Sequence, residues 1–546
     1  MLKKGVAGKP FKLPGSSEAY TLDVTENGAI ITADNQIGVK YALQTLSQLI
    51  TNDGKLVLAT VTDAPAFPYR GLLLDTARNF FPVEDIKRIL DGLAASKLNV
   101  FHWHIYDSQS FPIEWLTYPQ VHQKAAYKNA DGTLKVYTKK DVQDIVQYAF
   151  ERNIRVIPEF ETPGHNAVLG HIDPDLIASW NHSPWDGSSF ATNAMCSNKT
   201  IPVADVTSCP NEVVWWGRQY CNQPPCGQLD VRKEKALEVL DQLINEIGSW
   251  FSDPVIHVGH DEVNTRAYGL IPDNWDSVPA DALHPMMRNF DTRLLGMLGG
   301  KTLAAWDEIV TDFGVADIIP KDSLITLWNV SHGAPAAIAN VADKGFKNIA
   351  FERETPASAL KIDGYATFTG QWHNWTMIYD YEPLDSLSAN AKSAVKGGFG
   401  ALWTETVKRH NLDRYVFPRV TAIAERLWSN VKRDEKTAVR LNRFRASLVN
   451  EKRIASASLD YLGNKEDYVF RPEYCDGSGL TAPGQKTAEC CFPGQPLTAA
   501  DGSGLIDPYG SHYSPKSGFN DYCKIASLYK TNNYKYSKPE TVAYEY

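Results

Sequence analysis

An adjacent pair of carboxylates ends an apolar segment near the middle of the chain. Residues Val255–Val263 read Val-Ile-His-Val-Gly-His-Asp-Glu-Val, so Asp261 and Glu262 follow a run that is typical of a buried strand. Neighbouring side chains of a strand point to opposite faces, so the pattern predicts different tasks for the two acids. One carboxyl group can face a scissile bond while the other reaches a second part of the substrate. A structural ion-pair role is the alternative that the pattern leaves open.

A second acidic segment carries a histidine behind a Pro-Gly turn. Residues Pro158–His165 read Pro-Glu-Phe-Glu-Thr-Pro-Gly-His, which places His165 beside a carboxylate at the end of another predicted strand. An imidazole next to a carboxylate suits proton transfer or the orientation of another acid. A histidine that is simply hydrogen-bonded is an equally good interpretation of this motif alone.

A third segment places two histidines one residue apart. Residues Asn99–Asp107 read Asn-Val-Phe-His-Trp-His-Ile-Tyr-Asp, and the run ends on Asp107. Two such imidazoles can ligate a metal, but both lie within the predicted strand rather than at its end. Zinc sites usually bring further ligands at recognisable spacing. We therefore predict no metal site.

Three tryptophans stand at corresponding places late in the chain. They belong to the segments Ala305-Trp-Asp-Glu308, Leu327-Trp-Asn329 and Leu402-Trp-Thr-Glu405. A box of indole rings can hold an apolar methyl group or the flat face of a sugar. Core packing is the alternative, and it explains one such residue more easily than three.

Apolar strand-like segments alternate with helical patterns from residue 70 onward. Eight segments read as strands: Leu72–Asp75, Asn99–Asp107, Arg155–Glu161, Val255–Glu262, Thr302–Glu308, Leu324–Asn329, Asn348–Phe351 and Ala401–Glu405. Helical patterns such as Asp141–Arg152, Val231–Ile247 and Val420–Trp428 separate or follow most of them. Such alternation predicts an α/β fold, a (β/α)8 barrel, whose active site lies at the carboxyl ends of the strands. The acids and tryptophans at the strand ends are therefore expected to share one site.

Two smaller regions flank the predicted barrel, which takes residues 68–460. Residues 1–67 read as a small α+β domain, with strands at Tyr20–Val24 and Gly28–Thr32 and a helix at Val39–Ile50. Residues 461–546 lose helical periodicity and are rich in Gly, Pro, Ser and Tyr. They contain Cys475, Cys490, Cys491 and Cys523, which predicts a disulfide-tied C-terminal extension.

Charge and composition bound the function. The 546 residues carry a net charge of −9, which argues against nucleic-acid binding, and no stretch approaches the roughly 20 apolar residues of a transmembrane helix. Eight cysteines accompany four glycosylation sequons, at Asn181, Asn198, Asn329 and Asn374. Together they favour secretion or a lysosomal or vacuolar lumen. Because no signal peptide is visible, we expect a mature or shortened chain.

The cysteines fall into two clusters. Proximity predicts the disulfides Cys221–Cys226 and Cys196–Cys209, with the other four cysteines paired inside the extension. Eight cysteines allow about 105 connectivities, so sequence proximity is the only guide here.

Several motifs, in order, resemble the β-N-acetylhexosaminidases of glycoside hydrolase family 20. They are Arg70-Gly-Leu-Leu-Leu-Asp-Thr-Ala-Arg-Asn79, Asn-Val-Phe-His-Trp-His, Glu-Thr-Pro-Gly-His, His-x-Gly-x-Asp-Glu, the late Trp motifs and Ala422-Ile-Ala-Glu-Arg-Leu-Trp428. The resemblance covers roughly residues 20–460. The segment Cys221-Asn-Gln-Pro-Pro-Cys-Gly-Gln-Leu229 further resembles a loop of eukaryotic chitin-processing members.

The resemblance implies a catalytic role for each acid. Glu262 is expected to be the general acid, and Asp261 to hold and polarise the substrate's 2-acetamido group. The carbonyl oxygen of that group, rather than a protein side chain, then attacks C1 and gives an oxazolinium intermediate. Asp107 and His165 are expected to form a relay that tunes Glu262, and Tyr365 falls where the family's oxazoline-binding tyrosine belongs.

The resemblance also implies substrate contacts. Arg70 and Glu405 are expected to bind sugar hydroxyls and enforce exo action, and the cage of the acetamido group is expected from Trp306, Trp328 and Trp403. The expected reaction is removal of terminal β-linked GlcNAc, with GalNAc left open, from glycans or chitooligosaccharides. No cofactor is implied, and a homodimer is one candidate oligomeric state.

Three residues depart from the family pattern. Glu161 stands where an Asp is usual, His260 replaces the second of two glycines, and Thr367 replaces an Asp or Asn. Because His260 precedes Glu262 by two residues on the predicted strand, we expect both to face the same side. We therefore predict that His260 hydrogen-bonds Glu161 or another acid of the site. Filling of a void in the barrel is the alternative.

Two other functions compete with this interpretation. A catalytically silent sugar-binding protein can share the scaffold, but the intact Asp261-Glu262 pair argues against it. An endo-acting chitinase is expected to carry an Asp-x-x-Asp-x-Asp-x-Glu strand end, which the sequence lacks.

Overall fold

The computed structural model describes residues 17–180, 221–268, 280–329, 334–354 and 375–459, apart from positions 52, 224, 383, 406 and 458, and the short pieces 505–506 and 512–513. The predicted small domain is present at the start of this part. Its three-stranded antiparallel sheet and helix are β1 (Tyr20–Thr25), β2 (Gly28–Ala33), α1 (Gln36–Gln48) and β3 (Ala59–Asp63). Alternation along β1 buries Tyr20, Leu22 and Val24, and the Asn35 side chain caps α1.

The predicted parallel barrel is confirmed. The remaining strands are β4 (Tyr69–Asp75), β5 (Val100–His104), β6 (Arg155–Thr162), β7 (Ile177–Ala178), β8 (Gln228–Leu229), β9 (Val255–Gly259), β10 (Thr302–Trp306), β11 (Leu324–Asn329), β12 (Asn348–Glu354), β13 (Val395–Leu402), β14 (Leu505–Ile506) and β15 (His512–Tyr513). Strands β4, β5, β6 and β9 to β13 close into a barrel in chain order, with β13 against β4. The short pairs β7–β8 and β14–β15 form separate two-stranded sheets.

Helices surround the barrel, and several of the longer ones bury an apolar face. Those of the barrel region are α2 (Val83–Ala95), α3 (Pro119–Ala125), α4 (Lys139–Phe150), α5 (Glu234–Gly248), α6 (Ala280–Met297), α7 (Glu308–Thr311), α8 (Ala334–Asp343), α9 (Trp375–Asp380), α10 (Ala389–Ala394), α11 (Leu412–Val416), α12 (Arg419–Ser429) and α13 (Thr437–Asn450). In α2, for example, Ile86, Ile89, Leu90 and Leu93 are fully buried at helical spacing. No helix in the described part of the chain is long and apolar enough to cross a membrane.

The eighth barrel strand begins six residues earlier than predicted, at Val395 instead of Ala401. The sequence there is rich in glycine, which ordinarily weakens a strand. Gly397 has a φ of 141°, and a side chain at this position would collide with the backbone oxygen of Tyr69. Glycine is therefore what allows β13 to approach β4 and close the barrel.

The fourth barrel strand ends at Gly259, three residues before its predicted end at Glu262. Gly259 and His260 have φ values of 64° and 78°, so both lie in the left-handed region and turn the chain out of the strand. Asp261 and Glu262 therefore lie on a turn, and strand alternation does not set their directions.

A buried ion pair joins the small domain to the amino-terminal end of the barrel. Arg70, at the start of β4, donates two hydrogen bonds of 2.8 and 2.9 Å to the Glu18 carboxylate, and both side chains are buried. Nearby, the Trp428 indole donates to Asp63 at 2.8 Å and packs into the core of the small domain. The small domain thus covers the barrel end opposite the predicted site.

Candidate active site

The carboxyl ends of the barrel strands bring the predicted acids together. Asp107 follows β5, His165 follows β6, and Asp261 and Glu262 follow β9. The Asp261 and Glu262 side chains are 13% and 23% exposed, whereas Asp107 is buried. Two acids that reach solvent above a buried partner can meet a substrate that enters from this end.

Glu262 and Asp107 flank the imidazole of His165. His165 Nδ1 lies 3.2 Å from Asp107 Oδ1, and its Nε2 lies 3.3 Å from Glu262 Oε2 and 3.8 Å from Asp261 Oδ2. Burial alone would lower the pKa of His165, but Asp107 and the contacts with Glu262 and Asp261 raise it well above its usual value. The imidazole is therefore a cation next to Asp107, and it lies close enough to Glu262 to exchange a proton with it.

Asp261 belongs to a cluster of three carboxylates. Glu159, Glu161 and Asp261 each place an oxygen within 4.8 Å of the others. Burial raises the pKa of Asp261 to about 6, although His165 opposes it, and burial with Asp261 and Glu159 raises the pKa of Glu161 well above its usual value. Like charges this close cannot all ionise, so Glu161 holds the shared proton and Asp261 remains the anion.

The three predicted tryptophans line the same end of the barrel. Trp306 is buried and donates to Glu159 Oε1 at 2.7 Å, and the half-buried Trp328 donates to both Glu308 oxygens at 2.8 Å. The rings of Trp306 and Trp403 lie 6.3 Å apart, between centroids. Bonds to buried carboxylates fix the indoles of Trp306 and Trp328, so this part of the wall can hold its shape when substrate is absent.

The prediction that Arg70 binds sugar is wrong. Arg70 stands at the start of β4, at the opposite end of the barrel, where Glu18 neutralises it in a fully buried position. Asp75, at the strand's other end, lies five positions further along, about 16 Å away at the rise of a strand.

A second arginine of the same motif occupies the site instead. Arg78 Nη2 lies 2.7 Å from Asp107 Oδ2, and its Nη1 lies 3.3 Å from Asp75 Oδ2. Its guanidinium lies 5.3 Å from the centre of the Trp403 ring. The position of Arg78 in the motif could have indicated this role, because β4 ends at Asp75 and Arg78, unlike Arg70, comes after that end.

The loop closed by the predicted Cys221–Cys226 disulfide, which is confirmed, forms another wall. Asn222 Nδ2 donates to the backbone oxygen of Glu262 at 3.1 Å. Gln223 accepts from Arg78 at 2.9 Å and contacts Glu405 Oε1 at 3.5 Å. Sequence reasoning missed both of these polar residues, because their position depends on how the loop folds back over β9.

His260 points away from the site, so its predicted bond to Glu161 is wrong. Its Nε2 lies 2.8 Å from Asp291 Oδ1 on α6, and its ring packs near Phe290 and Phe313. The left-handed backbone at His260 removes the strand alternation on which the prediction depended.

Histidines and carboxylates also meet beneath the site, inside the barrel. Among the residues that the structure describes, three sets of side chains have the spacing that can hold a cation: His102 with Glu159 and His257, His104 with Asp107 and Glu161, and the carboxylate cluster around Asp261. His104 lies at hydrogen-bond distance from Glu159 and Asp107, at 2.9 and 3.2 Å. We interpret these groups as a network of hydrogen bonds and ion pairs.

Comparison with known proteins decides the family. The family model for the catalytic domain of glycosyl hydrolase family 20 matches residues 67–431, and the model for domain 2 of that family matches residues 13–64. The chain belongs to glycosyl hydrolase family 20. It is a glycoside hydrolase of the β-N-acetylhexosaminidase type, as the motifs predict.

Relatives in this family include eukaryotic enzymes. The chain is 31% identical over 446 residues to a chitooligosaccharidolytic beta-N-acetylglucosaminidase of Bombyx mori, a match that covers 76% of this chain and 67% of the relative. It is 30% identical over 425 residues to the beta-hexosaminidase subunit beta of Felis catus, covering 76% and 70%. The solved structure of a Flavobacterium johnsoniae chitobiase has a TM-score of 0.61 and 26% identity, covering 93% and 69%.

Several predicted residues lie outside the described part of this family 20 chain. They are Tyr365, Thr367, Cys196, Cys209, the four cysteines of the extension, and the sequons at Asn181, Asn198 and Asn374. Asn329 ends β11, but its side chain is not described. The roles and pairings expected of these residues stay predictions.

Proposed function

We propose that this family 20 hydrolase is a retaining, exo-acting β-N-acetylhexosaminidase that uses its substrate's acetamido group as the nucleophile. The position of Asp261 and Glu262 beside one imidazole carries the proposal. Retaining glycosidases with a protein nucleophile place two carboxyl groups about 5–5.5 Å apart on either side of the scissile bond. Here both acids contact His165 Nε2, so they approach the substrate from one side.

The reaction then has two steps, each with inversion at C1. The acetamido oxygen attacks C1 while the bond to the leaving oxygen breaks and Glu262 donates its proton to that oxygen. Asp261 accepts a hydrogen bond from the acetamido N–H, and its negative charge stabilises the positive charge of the oxazolinium ring. Water next attacks C1 and displaces the acetamido oxygen, so the C1–O bond of the ring breaks and the acetamido group is regenerated. The water gives its proton to Glu262, which restores the acid and leaves the product with retained configuration.

The walls of the pocket supply recognition. We assign the acetamido methyl to the cage of Trp306, Trp328 and Trp403, whose apolar faces suit it. We assign the hydroxyl groups of the terminal sugar to Arg78 and Glu405, and the contacts of both residues with Gln223 support this assignment. We propose terminal β-linked GlcNAc of chitooligosaccharides or glycans as the substrate, and Tyr365 as a further contact to the oxazoline.

We further propose that the protein acts in a secretory or lysosomal compartment. The disulfide beside the site supports this, because such bonds persist in oxidising compartments. The boundaries 1–67, 68–460 and 461–546 are proposed as its domains. A homodimer remains a prediction, and the molar mass measured by light scattering tests it.

The expected activity is hydrolysis of aryl β-N-acetylglucosaminides with retention, without turnover of the matching β-glucoside. The glucoside has no acetamido group, so it lacks the nucleophile that Asp261 positions. Release of the aryl alcohol measures the rates, and NMR of the first-formed anomer reads the configuration. Comparable rates on both glycosides would refute the proposed mechanism, and binding without release would indicate a lectin.

Replacement of the two arginines of the first motif is expected to give different kinetic results. Arg78→Gln should lower kcat/KM about 10-fold to 10²-fold, because a charge-assisted hydrogen bond contributes about 1.5–3 kcal/mol, and it should also destabilise the fold, because Asp75 and Asp107 stay buried without their guanidinium partner. Arg70→Gln should destabilise the fold by about 3–5 kcal/mol, because it leaves the buried Glu18 without its ion-pair partner, but the folded variant should keep a nearly unchanged kcat/KM. Kinetics and thermal unfolding of both variants measure this, and a kinetic defect confined to Arg70→Gln would reverse our assignment.

A further inference from the structure

A fully buried carboxylate lies in the barrel beneath the site, on β6. Glu159 Oε1 accepts from the Trp306 indole at 2.7 Å and lies 3.1 Å from His257 Nδ1. Its Oε2 lies 2.9 Å from His104 Nδ1 and 3.0 Å from His102 Nε2. Three imidazoles and an indole thus surround one carboxyl group, and the reaction described above makes no use of it.

Contacts continue from Glu159 to the general acid. His104 joins Glu159 to Asp107, 3.2 Å from its Nε2, and His165 joins Asp107 to Glu262 at 3.2 and 3.3 Å. Burial alone would lower the pKa of His104, but Glu159 and Asp107 raise it well above its usual value. Burial would raise the pKa of Glu159, yet His257, His102 and His104 hold it well below. Charges therefore alternate in sign from Glu159 through His104 and Asp107 to His165.

We propose that Glu159 is a positioning residue that couples the acetamido cage to the proton relay of Glu262. One of its oxygens fixes Trp306, and the other fixes His104 and the charge next to Asp107. The inference rests on the proposed function, because it assigns Trp306 to the cage and Glu262 to acid catalysis. Binding of substrate against Trp306 thereby alters the proton affinity of Glu262, the group that protonates the leaving oxygen.

The groups that face Glu159 come from every neighbouring strand of that part of the barrel. They are His102 and His104 from β5, Glu161 from β6, His257 and the following Asp261 from β9, and Trp306 from β10. Removal of the negative charge of Glu159 lets the cations and acids of the relay lose their protons more easily. Without the charged Glu159 the hydrogen bond that holds Trp306 is weaker, so the cage can accept a larger acyl group.

The test is Glu159→Gln, with Asp291→Asn as a matched control. Both variants neutralise a buried carboxylate bonded to a histidine, but Asp291 contacts only the outward-facing His260 among these groups. In Glu159→Gln we expect the alkaline limb of kcat/KM to move to lower pH by about half a unit or more. The kcat/KM ratio of N-acetyl to N-propionyl substrates should also fall about fivefold, since one methylene contributes about 10–200-fold in a fitted pocket. Asp291→Asn should change thermal stability alone.

The outcomes separate the inference from the proposed function. Wild-type protein without activity on N-acetylglucosaminides would refute the function itself. A folded Glu159→Gln with the wild-type pH limb and acyl ratio would overturn the inference alone. If Glu159→Gln does not fold, Trp306→Phe decides. Phenylalanine keeps an aromatic ring but lacks the indole N–H, whose hydrogen bond partly neutralises the charge of Glu159. The alkaline limb should therefore move to higher pH. An unmoved limb would overturn the coupling.

Discussion

Glu262→Gln should lower kcat by about 10²–10⁴-fold on substrates with poor leaving groups, the usual contribution of general acid catalysis. The amide cannot donate the proton that His165 helps to place on the leaving oxygen. Glutamine matches the size of glutamate, and the backbone contact from Asn222 does not involve the side chain. The fold should therefore be retained, and circular dichroism can check this.

The leaving group provides the control for this variant. An activated aryl oxygen departs with little protonation, so the loss should shrink as the pKa of the leaving alcohol falls. A Brønsted plot of kcat/KM for wild type and variant measures the difference. Parallel lines would mean that Glu262 is not the acid.

Asp261→Asn should reduce kcat by about 10²–10³-fold, the typical effect of removing one electrostatic stabiliser of a transition state. The aspartate acts on the nucleophile, so the loss should be similar for good and poor leaving groups. The acid limb of the wild-type pH profile should lie near the pKa of about 6 given to Asp261 by burial. Activity is expected to fall below that pH, as the carboxylate takes up a proton.

Glu161→Gln is the matched control for Asp261→Asn. Burial and its acidic neighbours raise the pKa of Glu161, so at neutral pH the glutamine replaces an already neutral carboxylic acid of nearly the same shape. We expect a much smaller loss of kcat than for Asp261→Asn. Equal losses would show that Glu161 is ionised and that our assignment of the shared proton is wrong.

Local patterns were sufficient to predict the barrel and the acids that share its end. Apolar runs that stop at polar residues carry this information, because parallel strands must place their carboxyl ends together. Asp107, His165 and Glu262 met as predicted for this reason. The role of Glu262 is inferred from the family motifs, and the Glu262→Gln variant described above tests it.

The errors arose where backbone geometry overrides the pattern. The predicted direction of His260 assumed a strand that Gly259 had already ended, and the choice of Arg70 ignored which end of β4 it occupies. The start of β13 was predicted too late because glycines usually indicate a loop, whereas Gly397 permits a close approach between strands. Asn222 and Gln223 could not be placed, since contacts distant in sequence determine where a loop lies.

The buried pair of Glu18 and Arg70 bears on how the enzyme can be divided for expression. The match to the family's catalytic domain begins at residue 67, so a fragment cut there keeps the guanidinium and discards its counter-charge. The same cut removes Tyr41, whose ring packs edge-on against Trp428, so an indole that is buried in the whole chain would face water. The family boundary is thus unsuitable as a truncation point, because the excised barrel would expose a guanidinium without its carboxylate and a new apolar surface.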